Sequence, residues 1–283
     1  GHVINLLAKG SYKHCTQQLK MSSEEHLAHI KQTIDYALSK GFTVNLYLED
    51  WSSGMRDSRD YLFMMMDELV KLPIKRFLLP DTLGILNPLQ CVEYMRQMVR
   101  RYPNSHFDFH AHNDYDLAVS NSLAAVLSGA KGLHVTVNGL GERCGNAPLA
   151  SVQVILKDMF GAKTNIKEDR LNDISRLVEG YSGIAVAPNT PVVGDNVFTQ
   201  VAGVHADGDN KDKLYCNDLV PERFGRHREY ALGKNSGKAN IIQNLNELGL
   251  ELTPEQTKAV TKRITELGDR KELVTQDDLP YIV

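Results

Sequence analysis

The sequence has little of several features that would assign a protein to a special class. Only four cysteines occur among 283 residues, and none stands in a Cys-x-x-Cys pair, which argues against a disulfide framework and favours reduced thiols. The formal net charge of −3 predicts no basic surface for nucleic acid or for an anionic membrane. We find no apolar run that could span a bilayer and no signal peptide. We therefore expect a cytoplasmic α/β protein that binds neither nucleic acid nor membrane.

Short apolar runs alternate with amphipathic segments through the first part of the chain. The apolar runs, which we predict to be strands, cover residues 3–8, 43–49, 74–80, 106–112 and 132–139. The amphipathic segments, which we predict to be helices, cover residues 23–40, 58–71, 88–102, 116–129 and 147–160. Ser22 or Ser23 is a suitable N-cap for the first helix. This alternation predicts a βα-repeat domain with parallel strands and right-handed crossovers over residues 1–160.

The pattern changes after residue 160. A helix is predicted over about residues 167–181, and a stretch that contains proline and glycine follows it. Two further helices are predicted over about 236–248 and 254–268, the second with Thr253 as N-cap and Pro254 at the first helical position. We predict that residues 161–283 form a linker and a helical C-terminal subdomain.

The fourth predicted strand carries two histidines in the stretch FDFHAHNDYDL. His110 and His112 are two residues apart, so both imidazoles point to the same face of the strand. Two imidazoles placed in this way can share a metal ion, because neutral imidazole is a common ligand. The stretch alone fits equally well a pair of histidines that form hydrogen bonds inside a core.

Polar residues recur at the carboxyl ends of the predicted strands, and this pattern favours the metal site. These residues are Tyr47, Glu49, Asp50, Asp81, Thr82, His110, His112, Asn138, Glu142, Arg143 and Asn146. Parallel βα folds place their active sites at the carboxyl ends of the strands, and (β/α)8 barrels do so almost without exception. We therefore predict a metal-assisted active site at this end of the sheet.

Several motifs together resemble one enzyme superfamily. HAHND, NGLGERCGN, YLEDW and LPDTLG resemble the DRE-TIM metallolyases, and in particular 2-isopropylmalate, citramalate and homocitrate synthases. GVHADGDNKDKLY and ALGKNSGKANI resemble the subdomain that follows the barrel in these synthases. The resemblance implies a TIM-barrel-type fold, of which about five βα units are in this chain, followed by a mainly helical subdomain. It also implies an Arg-Asp pair on an opening strand, and this chain contains no such strand.

The resemblance implies a role for each matching residue. His110 and His112 match the metal ligands, and Asn146 matches an asparagine that is a ligand or a near-ligand. The metal would be Zn, Mn or Mg. Glu49 matches an acidic residue that works near the acetyl group of acetyl-CoA, the co-substrate.

Other matching positions lie at the substrates or in the appended subdomain. Tyr47 and Thr82 match positions that line the site for the keto acid and the thioester. His205 and Tyr215 match catalytic residues that the subdomain contributes across a homodimer. The implied reaction condenses acetyl-CoA with an α-keto acid, and our first choice is 2-ketoisovalerate, the substrate of 2-isopropylmalate synthase. The alternative is pyruvate, the substrate of citramalate synthase, which the bulk of Tyr47 favours; homocitrate synthase, an aldol-type lyase and a non-catalytic fragment remain further readings.

Simpler structural roles are open for several of these residues. Glu49 could pair with a lysine, and Thr82 could act as an ordinary cap. Tyr215 could simply pack, and His205 could bind backbone groups of its loop. We also expect Arg143 to pair with Glu142 or another strand-end carboxylate, and Cys144 to be a small buried residue.

Overall fold

The computed structural model describes residues 1–200, 208, 214–233, 236–270 and 274–282. Its contacts divide the chain into two units, Gly1–Ala162 and Lys163–Val283. The functional division that we expect after residue 160 stays a prediction. The two units are described separately below.

The first unit contains a parallel sheet of five strands in the order β1-β2-β3-β4-β5. The strands are β1 (Val3–Lys9), β2 (Thr43–Glu49), β3 (Ile74–Asp81), β4 (Phe107–Ala111) and β5 (Gly132–His134). The helices are α1 (Ser23–Ser39), α2 (Trp51–Asp57), α3 (Arg59–Leu69), α4 (Pro88–Arg101), α5 (Ala118–Leu127) and α6 (Leu149–Phe160). Because consecutive strands are neighbours and run parallel, the predicted βα-repeat architecture is confirmed.

The starts of α1 and α4 follow local capping signals. The hydroxyl of Ser22 accepts a hydrogen bond from the backbone of Glu25, whose side chain in turn accepts one from the Ser22 backbone. This capping box begins α1 where the sequence predicts it. Asn87 and Gln90 form the same arrangement at the start of α4, which has proline at its first position.

The two faces of the sheet differ because side chains alternate along each strand. On one face, Val44, Leu46 and Leu48 of β2 are fully buried and pack in the core that the helices cover. Phe107 and Phe109 of β4 belong to the same core. The alternate positions of these strands face the other way and carry polar side chains. The opposite face of the sheet is therefore available for chemistry.

Two short elements differ from the sequence prediction. β5 ends at His134, and a single 3₁₀ turn over Val137–Gly139 replaces the rest of the predicted strand. Asn138 in this turn has φ of 58°, a left-handed conformation that cannot continue a strand. The additional helix α2 follows Asp50, which also has a positive φ (61°) and so ends β2 abruptly. Apolar periodicity does not report such single-residue reversals.

The second unit is mainly helical among its described residues. It contains α7 (Leu171–Ser182), α8 (Lys238–Glu247), α9 (Pro254–Asp269) and α10 (Leu279–Ile282), with a two-stranded parallel sheet of β6 (Thr199–Gln200) and β7 (Glu229–Tyr230). Ile241, Leu245, Val260 and Ile264 form an apolar cluster that joins α8 to α9. Thr253 caps α9 and Pro254 is its first residue, as predicted. In the described part of the chain, no helix is both long and apolar enough to cross a membrane.

Candidate active site

The predicted strand-end residues of the first unit lie together at the carboxyl end of the sheet. Glu49 is the last residue of β2, and Thr82 follows the last residue of β3. His110 lies near the end of β4 and His112 just after it. Asn146 forms an isolated antiparallel bridge with His112. The prediction that these residues share one end of the sheet is confirmed, whereas their roles stay predictions.

His110 and His112 lie on the same side of the sheet, as the spacing predicts. Their ring centroids are 5.0 Å apart. The Nδ1 atom of each ring is buried and has no hydrogen-bond partner in the protein. This observation disfavours the alternative of a hydrogen-bonded pair in a core, because such a pair would satisfy its buried nitrogens.

The surroundings favour the neutral form of both imidazoles. Burial lowers the pKa of His110 to about 4, with smaller contributions from His112 and His134. Burial also lowers the pKa of His112, and the positive charge of Arg143 adds to this effect. Neutral imidazole is the form that binds a metal ion.

Asn146 offers an amide oxygen beside the two histidines. Its Nδ2 donates to the carbonyl of Leu140 at 3.1 Å, so its buried Oδ1 is the atom left without a partner. The preceding Gly145 has φ of 82°, and a Cβ there would collide with the carbonyl oxygen of Gly139. Glycine is therefore required to form the turn that presents Asn146.

These donor atoms fit a divalent metal ion. Two imidazole nitrogens and one amide oxygen, all without protein partners, are ligands that suit Zn, Mn or Mg. Among the described residues, no group of three or more His, Cys, Asp and Glu side chains could hold a metal by itself. The candidate donors at this site are the two histidines and the asparagine, and their binding of a metal stays a prediction.

Glu49 forms an ion pair with Lys9, so the simpler role considered for it is present. The two residues are partners in the β1–β2 register, and the ammonium group of Lys9 contacts Oε2 of Glu49. Lys9 is only 8% exposed. The sequence analysis did not single out Lys9, whose only signal is a charged residue at the end of an apolar strand.

The backbone of Lys9 is held by His26 of α1 and Tyr61 of α3. The Tyr61 hydroxyl donates to the carbonyl of Lys9 at 3.0 Å, and the amide of Lys9 donates to Nε2 of His26 at 3.4 Å. Nδ1 of His26 lies 2.9 Å from the Tyr61 hydroxyl. Because Nε2 of His26 accepts from Lys9 and the hydroxyl proton of Tyr61 goes to the Lys9 carbonyl, Nδ1 is the donor to the Tyr61 oxygen. This closed set of hydrogen bonds fixes the end of β1 beside Glu49.

Tyr47 contacts a residue that the sequence analysis missed. Its hydroxyl lies 2.6 Å from Nδ1 of His134, and the two ring centroids are 5.4 Å apart. The ring of His134 is in turn 5.8 Å from that of His110, its partner in the β4–β5 register. Burial raises the pKa of Tyr47, and the charge of Asp108 raises it further. The available signal was the polar His134 within the predicted strand GLHVTVNG.

Asp108 is a second missed residue on the histidine strand. It is only 2% exposed and accepts hydrogen bonds from His106 (2.8 Å) and Arg76 (3.2 Å). Nε2 of His134 lies 3.6 Å from its Oδ2. Burial alone would raise the pKa of Asp108, but the facing His134 and the hydrogen bonds from Arg76 and His106 lower it to about 2. Its signal in the sequence was the same two-residue alternation that relates His110 to His112.

The loops around the site use the other strand-end residues as structural supports. Oγ1 of Thr82 accepts a hydrogen bond from the backbone of Asp50 at 2.9 Å. Arg143 pairs with Asp114 through two hydrogen bonds of 2.7 and 2.9 Å and lies 3.7 Å from Glu142, as expected for a structural arginine. The prediction for Cys144 is wrong, because this residue is exposed. Residues 141–144 project into solvent, and burial resumes only at Gly145.

The two predicted residues of the appended subdomain cannot be related to this site. Tyr215 is 46% exposed, and its ring leaves no room for a Cβ at Gly208. His205 lies outside the described residues. The contribution of both residues to an active site stays a prediction.

Two family models match the chain. The model described as HMGL-like matches residues 2–178, and the one described as homocitrate synthase post-HMGL domain-like matches residues 192–272. A putative (R)-citramalate synthase of Methanopyrus kandleri is 36% identical over 282 residues, which are 99% of this chain and 54% of that protein. A probable 2-isopropylmalate synthase of the same organism is 39% identical over 257 residues, 91% of this chain and 51% of that protein. The chain thus spans about half the length of these relatives.

Solved structures support the TIM-barrel type of fold. A 3-hydroxy-3-methylglutaryl-CoA lyase of Bacillus subtilis superposes with a TM-score of 0.59 at 22% identity, covering 65% of each chain. The corresponding lyase of Pseudomonas aeruginosa gives a TM-score of 0.60 at 17% identity, covering 68% of this chain and 66% of that one. At these identities the likeness shows the fold alone.

Proposed function

Because this chain belongs to the HMGL-like family, within the DRE-TIM metallolyase superfamily, we propose that it is the catalytic part of an enzyme that condenses acetyl-CoA with an α-keto acid. The observation that carries the proposal is the set of unpartnered donor atoms, Nδ1 of His110, Nδ1 of His112 and Oδ1 of Asn146, at the carboxyl end of the sheet. Such a set suits a metal ion that binds a small chelating substrate.

The metal ion would be held by His110, His112 and Asn146, and it would supply a Lewis acid for the keto carbonyl. Glu49 is the candidate base that takes a proton from the methyl group of the acetyl thioester. Its ion pair with Lys9 fixes the direction in which the carboxylate points. The resulting enolate carbon bonds to the keto carbon, whose carbonyl becomes a hydroxyl after protonation. Water then cleaves the thioester and releases the thiol of coenzyme A.

Other residues complete the proposed site. Thr82 and Tyr47 line the space for the keto acid and the thioester, and the hydroxyl of Thr82 can still donate its proton after accepting from Asp50. His205 and Tyr215 are proposed to act from the second subunit of a homodimer. The relatives that match both units of the chain support this proposal only at the level of the family.

The α-keto acid has two candidates. The relatives include citramalate and 2-isopropylmalate synthases at similar identity, so they do not discriminate between pyruvate and 2-ketoisovalerate. The resemblance of motifs alone favoured 2-ketoisovalerate. The hydroxyl of Tyr47 contacts His134, whose ring lies next to that of His110. A bulky ring held in this position leaves less space for the substituent of the keto acid, which favours the smaller pyruvate. We therefore propose pyruvate as the substrate, which makes the product citramalate.

A thiol-release assay on the native full-length protein tests both levels of this proposal. Acetyl-CoA is supplied with pyruvate, 2-ketoisovalerate or 2-ketoglutarate, and the product is identified by mass spectrometry. We expect metal-dependent thiol release that is fastest with pyruvate. Release that is fastest with 2-ketoisovalerate would retain the reaction and overturn the substrate. Absence of release with all three acids by a metal-loaded protein would overturn the reaction and leave the lyase or non-catalytic reading.

A further inference from the structure

We propose that His134 and Asp108 are positioning residues that lock the ring of Tyr47 in place and thereby set the size limit of the keto acid site. This inference rests on the proposed function and adds two residues to it. It is carried by a series of side-chain contacts that joins three strands of the sheet: Tyr47 on β2 contacts His134 on β5, and His134 lies beside Asp108 on β4.

The surroundings of His134 fix the direction of its hydrogen bonds. Nε2 of His134 faces Oδ2 of Asp108 at 3.6 Å, and because a carboxylate only accepts, this neighbour favours the ring proton on Nε2. Nδ1 is then an acceptor, and the Tyr47 hydroxyl donates to it at 2.6 Å. The hydroxyl proton of Tyr47 is thus committed to His134. Towards a substrate, Tyr47 presents its ring and an oxygen that can only accept.

Asp108 is itself immobilised from two other directions. His106 binds Oδ1 at 2.8 Å and Arg76 binds Oδ2 at 3.2 Å. Gly132 leaves room for the carboxylate, because a Cβ at that position would collide with Oδ1 of Asp108. The series of contacts from Tyr47 through His134 therefore ends at a nearly buried carboxylate whose position is set by its neighbours.

The consequence is a tyrosine that cannot turn aside for a larger substrate. An unanchored tyrosine can change rotamer and open space at modest energetic cost. A ring held through its hydroxyl must first break the bond to His134, and it then leaves a half-buried imidazole nitrogen unpaired. The lock should therefore penalise an isopropyl substituent more than a methyl substituent.

Kinetics of Tyr47→Phe, His134→Phe and the double variant test this lock. Each single variant should shift the ratio of kcat/KM for 2-ketoisovalerate over pyruvate by about tenfold towards 2-ketoisovalerate. The shift should come mainly from KM, and the double variant should shift the ratio no further than the single variants do. Tyr102→Phe is the matched control, because it removes a tyrosine hydroxyl bound to Asp67 on the helical side of the sheet. An unchanged ratio in His134→Phe, with metal content retained, would overturn the proposal.

A second measurement is independent of activity. Nitrogen-15 spectra of histidine-labelled protein distinguish the two neutral tautomers, and His134 is assigned by its loss in His134→Phe. We expect the Nε2–H tautomer in the native protein and a changed Nδ1 shift in Tyr47→Phe. The Nδ1–H tautomer would overturn the proposal even if condensation is observed. If the native protein condenses neither acid, the proposed function fails, and the tautomer still decides whether Tyr47 is locked.

Discussion

Individual side chains at the candidate site are held by neighbours that leave specific atoms without partners. Asn146 uses its amide nitrogen for Leu140 and keeps its oxygen free of protein contacts. Burial lowers the pKa of His110 and of His112, which favours their neutral forms, and Nδ1 of each ring has no protein partner. The resulting donor set leads to a direct prediction at the scale of single residues.

Replacing either histidine should remove the metal and the activity together. We expect His110→Ala or His112→Ala to lower kcat/KM by at least about 100-fold, because loss of a ligand weakens the metal site more than loss of a supporting contact. Metal content by mass spectrometry and thiol release are the two measurements. His29→Ala, which changes an exposed histidine of α1, is the matched control. Full metal content in both site variants would contradict the assignment.

Lys9 should stabilise the folded protein as well as hold the carboxylate of Glu49 in place. We expect Lys9→Met to lower the free energy of unfolding by about 1–3 kcal/mol, because the variant leaves the partly buried carboxylate of Glu49 without its partner. Lys9→Arg, which keeps the charge, should recover most of this loss. Urea unfolding measures both variants, and equal stability of Lys9→Met and the native protein would count against the prediction.

At the scale of elements, the carboxyl end of β1 is held by contacts with two helices. The end of β1 is joined to α1 and α3 through His26 and Tyr61. Burial lowers the pKa of His26, and the charges of Lys9 and His29 lower it further. The folded state therefore disfavours the protonated imidazole, and this contact becomes sensitive to pH.

The stability of the first unit should fall as the pH drops through the ordinary histidine range. A histidine whose folded pKa is depressed contributes stability above its unfolded pKa of about 6.5 and loses it as the pH falls below that value. We expect the unfolding free energy to decrease between pH 7.5 and 5, with a smaller decrease in His26→Gln. His227→Gln, which changes a largely exposed histidine, is the control. Identical slopes in the native protein and His26→Gln would exclude this role.

The loop before Asn146 gives a second prediction at this scale. Gly145→Ala places a Cβ against the carbonyl of Gly139 and also strains a positive φ, so we expect at least tenfold weaker metal binding. Gly161→Ala carries the same strain (φ of 63°) with nothing within 4 Å of the added Cβ. It should therefore bind metal normally. Equal metal affinity of the two variants, measured by titration, would show that the turn does not position Asn146.

At the scale of the whole molecule, the proposed homodimer is tested by mixing two inactive proteins. Full-length His110→Ala lacks a metal ligand, and His205→Ala lacks the residue that the resemblance implies from the partner subunit. If sites are shared, a random mixture should recover about a quarter of native activity, because half of the dimers are mixed and each contains one complete site. Size-exclusion chromatography with two tags confirms mixed dimers. Recovery of no activity by confirmed mixed dimers would show that each subunit builds its own site.

The sequence by itself determined the alternation of the five strands with their helices, apart from α2 and the shortened β5, and the end of the sheet at which the candidate site lies. Both follow from local rules, since periodicity and caps act within a few residues and parallel strands align their carboxyl ends. The spacing of His110 and His112 likewise fixed their common face. In the appended subdomain, the cap at Thr253 was predicted for the same local reason. The role predicted for His205 falls outside the described residues.

Only the tertiary structure decided which side chains support those residues. Lys9 and Glu49 are separated by 40 residues, and Tyr47 and His134 by 87 residues. No local pattern specifies such pairs, because they depend on the register of strands that are brought together by packing of the helices. Cys144 is exposed together with residues 141–143, in a loop that has positive φ angles at Arg143 and Gly145. Local periodicity thus located the candidate site, and long-range register determined which side chains surround it.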